Sequence, residues 1–172
     1  MAIRFVLGLF RFAAYHIRRN DLQYKEVFLS AEASYTNTEA LLLKKELIYI
    51  ATDETDPDFF APFAEQHTVY RWADFFTEKG NFALKNVEIP PKWIGLIEQV
   101  ICASARVFVG TKKSTFSAYI PRLRGYLRAP DTATYYHTSR YNRPKRPPSK
   151  FNHRPVIGND YMADYPTLWL DV

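Results

Sequence analysis

The fold is decided by residues 97–117, which read IEQVICASARVFVGTKKSTFS. Apolar positions recur at helical spacing through the first part of this stretch and predict a helix over residues 92–105. Residues 106–109 then predict a short buried strand, and Ser114 predicts the start of a second helix that reaches about residue 127. A strand that runs through a small-residue loop into a helix presents several unpaired N–H groups at one point, where the helix dipole adds positive charge. The stretch is therefore typical of a phosphate-binding site.

A second basic feature lies upstream of this stretch. Residues 12–17, FAAYHI, form an apolar run that predicts a buried strand, and Arg18 follows it directly. An arginine held at a strand end can donate two parallel charge-assisted hydrogen bonds to a diphosphate. Arg18 and the helix start at Ser114 together predict a pocket for a nucleotide diphosphate.

Strands and helices alternate along the rest of the chain. Residues 47–51 and 68–70 read as strands because they are β-branched and aromatic. Helical segments are predicted between the strands, at residues 30–43, 56–66 (with Asp56 as cap and Pro57 in the first turn) and 72–76. This order predicts an α/β fold, a Rossmann-like parallel sheet with helices on both faces.

The chain is expected to divide near residue 129. Residues 1–129 would form the Rossmann-like nucleotide-sugar-binding domain, and residues 130–172 a proline-rich basic C-terminal tail wrapping it. The cluster RPKRPP at residues 143–148 is untypical of a core element. The aromatic residues within 165–169 are expected to dock back on the domain.

Composition and cysteine use exclude several classes of protein. The 172 residues are 47% hydrophobic and 16% aromatic, with a formal net charge of +5, which argues for one globular domain rather than a disordered chain. The single cysteine, Cys102, excludes an internal disulfide and reads as a buried filler. The four histidines lack metal-ligand spacing, so no metal ion is expected. The N-terminal residues match neither a clear leader nor a transmembrane segment.

Four blocks of the chain, together spanning roughly residues 12–128, resemble the GDP-fucose protein O-fucosyltransferase family. They are HIRR-x-D at 16–21, LIYIATDE at 47–54, IEQ-x-ICA running into FVGT-x-x-STFS at 97–117, and I-x-R-x-RG at 120–125. The resemblance implies two facing Rossmann-like domains of the GT-B type, with this chain similar to the C-terminal, GDP-binding one. The family's glycine-bearing N-terminal loop has no counterpart here, so we expect that the N-terminal half of such an enzyme is absent.

The resemblance also implies a chemistry, the inverting transfer of fucose from GDP-fucose to a serine or threonine hydroxyl of a protein. Arg18 matches the family's phosphate-binding arginine and is the expected catalytic residue. No cofactor or metal would be required, and the secretory pathway (endoplasmic reticulum or Golgi lumen) is the implied compartment. Further residues are expected to bind the nucleotide: Ser114, Thr115, Phe116, Asp53, Glu98 and Arg122.

Several of these residues also have purely structural interpretations. Arg18 could bridge to Asp21 or Glu26 at the surface, and Ser114 could only cap its helix. Asp53 could face water. Glu98 could pair with a nearby cation such as Arg106. His16 is expected to orient its neighbours rather than to act as a base.

Other functions remain open from the sequence. One is an α1,2- or α1,6-fucosyltransferase acting on glycans, because those relatives share the HxRRxD block. Another is a nucleic-acid-binding module, because residues 140–154 carry six Lys or Arg residues, no acid and two aromatic residues. A third is a non-catalytic relative that keeps GDP binding.

Overall fold

A five-stranded sheet forms the centre of the computed structural model, which describes residues 10–20, 22–76, 87–130 and 133–137. The strands are β1 (Ala13–Ile17), β2 (Leu47–Thr52), β3 (Thr68–Tyr70), β4 (Val107–Gly110) and β5 (Thr134–Tyr136). Their spatial order is β3-β2-β1-β4-β5, and each neighbouring pair is parallel. The strand order therefore reverses between β1 and β4.

Helices cover both faces of the sheet, as predicted for a Rossmann-like α/β fold. One face carries α1 (Ala31–Thr38) and the single-turn α2 (Ala61–Ala64) over a core that includes Tyr15 and Phe63. The other carries α3 (Trp72–Phe76), α4 (Pro91–Ala103) and α5 (Thr115–Tyr126) over a core that includes Phe108 and Ile120. Cys102 is completely buried there, which confirms the prediction that it is a small residue of the core.

The helix ends follow the local sequence. The Ser30 side chain caps α1 by accepting a hydrogen bond from Ala33 N–H, and α1 ends at Thr38, earlier than predicted. The predicted helix over residues 56–66 is shorter, a 3-10 turn at Asp58–Phe60 followed by α2. Asp56 Oδ1 accepts from Asp58 N–H at 2.9 Å, so its side chain does cap this segment.

The sheet continues past residue 129, where the tail was predicted to begin. β5 pairs with β4, and Tyr135 is only 4% exposed. The prediction that residues 130–172 form a tail around the domain is therefore wrong for residues 133–137. Tyr135 adds an aromatic ring to the core beside α1, which stabilises the short strand. The remaining predicted tail, residues 138–172, lies outside the described residues.

A fully buried arginine fastens β5 to the rest of the domain. All five N–H donors of Arg124, on α5, meet oxygen acceptors at 2.6–3.3 Å. The fifth acceptor is Thr134 Oγ1 and the other four are backbone carbonyls that precede the strands, three of them before β4 and one before β5: Ala103, Ala105, Arg106 and Ala133. Burial lowers the pKa of Arg124 to about 10, which still leaves it charged at neutral pH.

Candidate nucleotide-binding site

A cavity of about 530 Å³ opens at the carboxyl ends of β1 and β2, beside the point where the strand order reverses. Open parallel sheets bind their ligands at such switch points, and this volume lies within the usual range of ligand pockets. Eight residues line it: His16, Arg18, Thr52, Asp53, Pro91, Gly95, Glu98 and Phe116. Four of the residues predicted to bind nucleotide, Arg18, Asp53, Glu98 and Phe116, are therefore brought together.

The segment that carries Arg18 is held by side chains from neighbouring strands. Arg18 N–H donates to Thr111 Oγ1 at 3.0 Å, just beyond β4. Both carboxylate oxygens of Asp53 accept from the next two backbone amides, Arg19 N–H at 2.7 Å and Asn20 N–H at 2.9 Å. Three consecutive amides are thus occupied by protein acceptors. The backbone of this segment is therefore fixed by protein acceptors, and Asp53 has a direct structural role in holding it.

The first turn of α5 lies next to the cavity. Ser114 is buried and caps the helix by accepting from Ser117 N–H, which confirms its cap interpretation. Thr115 is exposed, and Phe116 lines the cavity. The N–H groups of Thr115 and Phe116 stand in the first helical turn, where no carbonyl of the same helix can accept from them. N–H groups in this position of a helix are the ones that bind phosphate oxygens in proteins.

His16 joins β1 to the start of α5. Its ring stacks on Phe116 with centroids 4.1 Å apart, and Nδ1 lies 2.7 Å from Ser117 Oγ. Ser117 Oγ also accepts from Thr111 N–H at 2.9 Å. A Cβ at Gly110 would lie 2.9 Å from the Ser117 Cβ, so this close approach requires glycine at the end of β4. His16 thus orients its neighbours, as predicted, and also forms part of the cavity wall.

Glu98 lines the cavity from α4. It accepts a hydrogen bond from the Tyr49 hydroxyl at 2.9 Å. Burial raises the pKa of Glu98 to about 7, although the Tyr49 hydrogen bond opposes part of that rise. Arg106 is not its partner, because Nε and Nη2 of that guanidinium donate to the two carboxylate oxygens of Glu46, each at 2.6 Å. The alternative interpretation, in which Glu98 pairs with Arg106, is therefore wrong, and Glu98 is a cavity carboxyl with a raised pKa.

Arg122 is not among the residues that line the cavity. It lies two turns along α5, with its guanidinium 5.1 Å from the centre of the Tyr119 ring. The alternative partners of Arg18, Asp21 and the Glu26 side chain, lie outside the described residues.

Within the described part of the chain, no cluster of three or more His, Cys, Asp or Glu residues could hold a metal ion. No described helix has the length and apolar character to cross a membrane.

Three residues around the site were not identified from the sequence: Thr111, Ser117 and His137. Thr111 and Ser117 belong to the quoted stretch, but nothing in their spacing distinguishes them from ordinary loop and helix residues. His137 follows β5, within the segment that the sequence predicts to be a tail. The run Thr134–Tyr136, β-branched and aromatic, is the signal that could have predicted a strand there.

The parallel sheet with helices on both faces and a cavity at its switch point define an α/β protein of the Rossmann-like class. The sequence model of one family, described as GDP-fucose protein O-fucosyltransferase, matches residues 9–127. The chain belongs to this family of GDP-fucose-dependent fucosyltransferases. No curated protein matches the chain significantly.

Proposed function

We propose that this chain supplies the GDP-diphosphate site of an inverting fucosyltransferase that acts on a serine or threonine hydroxyl of a protein. The observation that carries the proposal is the placement of Arg18 in the switch-point cavity beside the first turn of α5. Arg18 offers a bidentate fork, and Thr115 and Phe116 offer backbone N–H groups. These are the donors that a diphosphate needs.

In the proposed reaction, the acceptor oxygen attacks the anomeric carbon of fucose from the face opposite GDP. The bond between that carbon and the β-phosphate oxygen breaks, and its electron pair stays on the phosphate. Arg18 stabilises this growing charge, an effect that for one such donor is worth roughly 2.7–4 kcal/mol. The proton of the acceptor hydroxyl passes to a general base.

Glu98 is the proposed contact for the guanine base. As a carboxylate it can accept from two adjacent donors at once, and guanine presents such a pair in N1–H and its 2-amino group. Bound guanine would favour the ionised form of Glu98 and so lower the pKa of Glu98. GDP should then bind more tightly than inosine diphosphate, which lacks the amino group.

The general base is proposed to come from outside the described cavity residues. Asp53 accepts hydrogen bonds from two backbone amides. His16 is hydrogen-bonded to Ser117, and Glu98 is hydrogen-bonded to Tyr49. We propose that a second, N-terminal Rossmann-like domain faces this one in the GT-B arrangement and brings the base and much of the acceptor surface. The secretory pathway is the compartment proposed for this reaction.

Isothermal titration of the chain with GDP and GMP tests the proposed site. Because the β-phosphate would accept the charge-assisted hydrogen bonds of Arg18, the affinity for GDP should be at least about ten times that for GMP. Arg18→Ala should weaken GDP binding by ~1.5–3 kcal/mol, and Arg18→Lys should recover only part because an ammonium lacks the fork.

A matched control is Arg71→Ala, which removes an arginine outside the cavity that lies 6.0 Å from the Phe60 ring centre. Its GDP affinity should equal that of the unaltered chain. Equal affinities for GDP and GMP, or equal losses in the Arg18 and Arg71 variants, would remove the basis of the proposal.

A further inference from the structure

A buried hydrogen-bond network links His137 to the backbone of Arg18. His137 is 1% exposed, does not line the cavity, and lies beyond the segment that the family model matches. Its Nε2 is 3.1 Å from Thr111 Oγ1, the atom that accepts from Arg18 N–H. The backbone of His137 is itself fixed, since its N–H donates to Gly110 O and its carbonyl accepts from Asn37 Nδ2.

The network defines which nitrogen of His137 carries the proton. Thr111 Oγ1 has one hydrogen, and it points to the His16 carbonyl at 2.8 Å because a carbonyl can only accept. Thr111 Oγ1 must therefore accept from both Arg18 N–H and His137, which places the proton on Nε2. Nδ1 then accepts from Ser34 Oγ at 3.1 Å. Burial lowers the pKa of His137 to about 4, so the ring is neutral at physiological pH.

Thr111 thereby uses its full capacity of one donor and two acceptor positions. Its hydroxyl fixes the backbone on both sides of the point where β1 ends, through His16 O and Arg18 N. Without the Nε2–H of His137, this hydroxyl loses one of the three contacts that set its rotamer. The orientation of Arg18 would then be less well defined.

We propose that His137, acting through Thr111, is a positioning residue that presents the Arg18 side chain to the diphosphate. This inference rests on the proposed function, because it needs a diphosphate to be bound by Arg18. His137 does not touch the nucleotide. Its effect on affinity is transmitted through one hydroxyl and one backbone amide.

A matched pair of substitutions separates this role from general stability. The amide of His137→Gln reaches the position of Nε2 and can still donate to Thr111, whereas that of His137→Asn reaches only the position of Nδ1. Both variants remove the ring and should lower the melting temperature comparably. GDP affinity, measured by titration of the full chain, should fall about five- to tenfold in the Asn variant and recover to within about threefold in the Gln variant.

A double-mutant cycle with Arg18 supplies the decisive comparison. In an Arg18→Ala background, His137→Asn should cost less than about twofold in GDP affinity, because the side chain that it positions is gone. An equal loss in both backgrounds would overturn the inference. So would unchanged GDP binding by a folded Asn variant. If the Asn variant does not fold, Ser34→Ala, which removes the hydroxyl that donates to His137 Nδ1, should show the same dependence on Arg18.

Nitrogen NMR of the His137 ring in the nucleotide-free chain gives an independent readout. We expect the neutral Nε2–H tautomer, and a ring protonated on Nδ1 would overturn the inference. Absence of GDP binding by the unaltered chain would instead refute the proposed function. The two failures are therefore distinguishable.

Discussion

The Tyr49 hydroxyl donates to Glu98 Oε1 at 2.9 Å, so a buried tyrosine on β2 contacts a carboxyl group in the cavity wall. Burial raises the pKa of both groups, that of Glu98 to about 7. The fold therefore opposes ionisation of Glu98 in the absence of a ligand, and this has a measurable consequence for stability.

Glu98→Gln should change the pH dependence of stability. The ordinary pKa of Glu98 is 4.5, and in the folded chain it is about 7. At pH values between these two, folded Glu98 keeps a proton that the unfolded chain has lost, so the contribution of Glu98 to stability falls as the pH rises through this window. Gln is neutral throughout and still accepts from Tyr49. The variant should therefore gain on the order of 1–3 kcal/mol relative to the unaltered chain between pH 4.5 and 8.

Urea unfolding at a series of pH values measures this difference, and titrations common to both proteins, such as that of His137, cancel in it. Two unfolding free energies that run parallel across the whole range would contradict the raised pKa.

Arg124→Lys should destabilise the domain although it keeps the positive charge. Lys has three donors on one nitrogen and cannot serve five acceptors spread around a planar fork, so buried carbonyls are left unpaired. The expected loss is at least about 2 kcal/mol in denaturant unfolding. Arg122→Lys, on the same helix but stacked over Tyr119, is the control and should stay within about 0.5 kcal/mol. Equal losses of stability in the two variants would contradict this role of the Arg124 hydrogen bonds.

Gly110→Ala should also destabilise, because the added Cβ would meet Ser117 Cβ and Oγ at 2.9 Å. Overpacking of this kind costs typically about 1–3 kcal/mol, and here it would also disturb the contact of Ser117 with His16. Gly95→Ala is the matched control. Its Cβ would be 3.4 Å from the Phe116 ring, an ordinary contact, and alanine favours a helix interior, so thermal unfolding should show no loss. A Gly110 variant as stable as the Gly95 variant would contradict the close packing at β4.

The 172 residues alone should bind GDP-fucose yet transfer fucose negligibly, because the proposed base lies outside the described cavity residues. Transfer of labelled fucose to a folded protein domain, with a free glycan tested in parallel, measures this and separates the two acceptor classes. Adding the proposed N-terminal domain, as a separate chain or fused, should restore turnover. Robust fucosylation by the isolated chain would return the search for a base to His16, Asp53 and Glu98.

The sequence by itself determined the parallel α/β fold and the position of Arg18. Hydrophobic runs and cap residues act locally, and the carboxyl ends of parallel strands meet at one edge of the sheet, so Arg18 and the start of α5 were predicted to converge. The short strand β5 was missed because three residues beside a basic, proline-rich segment carry too weak a periodic signal.

Only the tertiary structure decided what each polar side chain contacts. Asp53 holds the backbone after Arg18, Glu98 meets Tyr49 rather than Arg106, and Arg124 rather than Arg122 is buried. These outcomes depend on register between strands and on which side chain reaches an unpaired carbonyl, and hydrogen bonds between residues far apart in the chain leave no periodic trace in sequence. His137 shows this most clearly, because its partner Thr111 is 26 residues away and becomes a neighbour only when β5 joins the sheet.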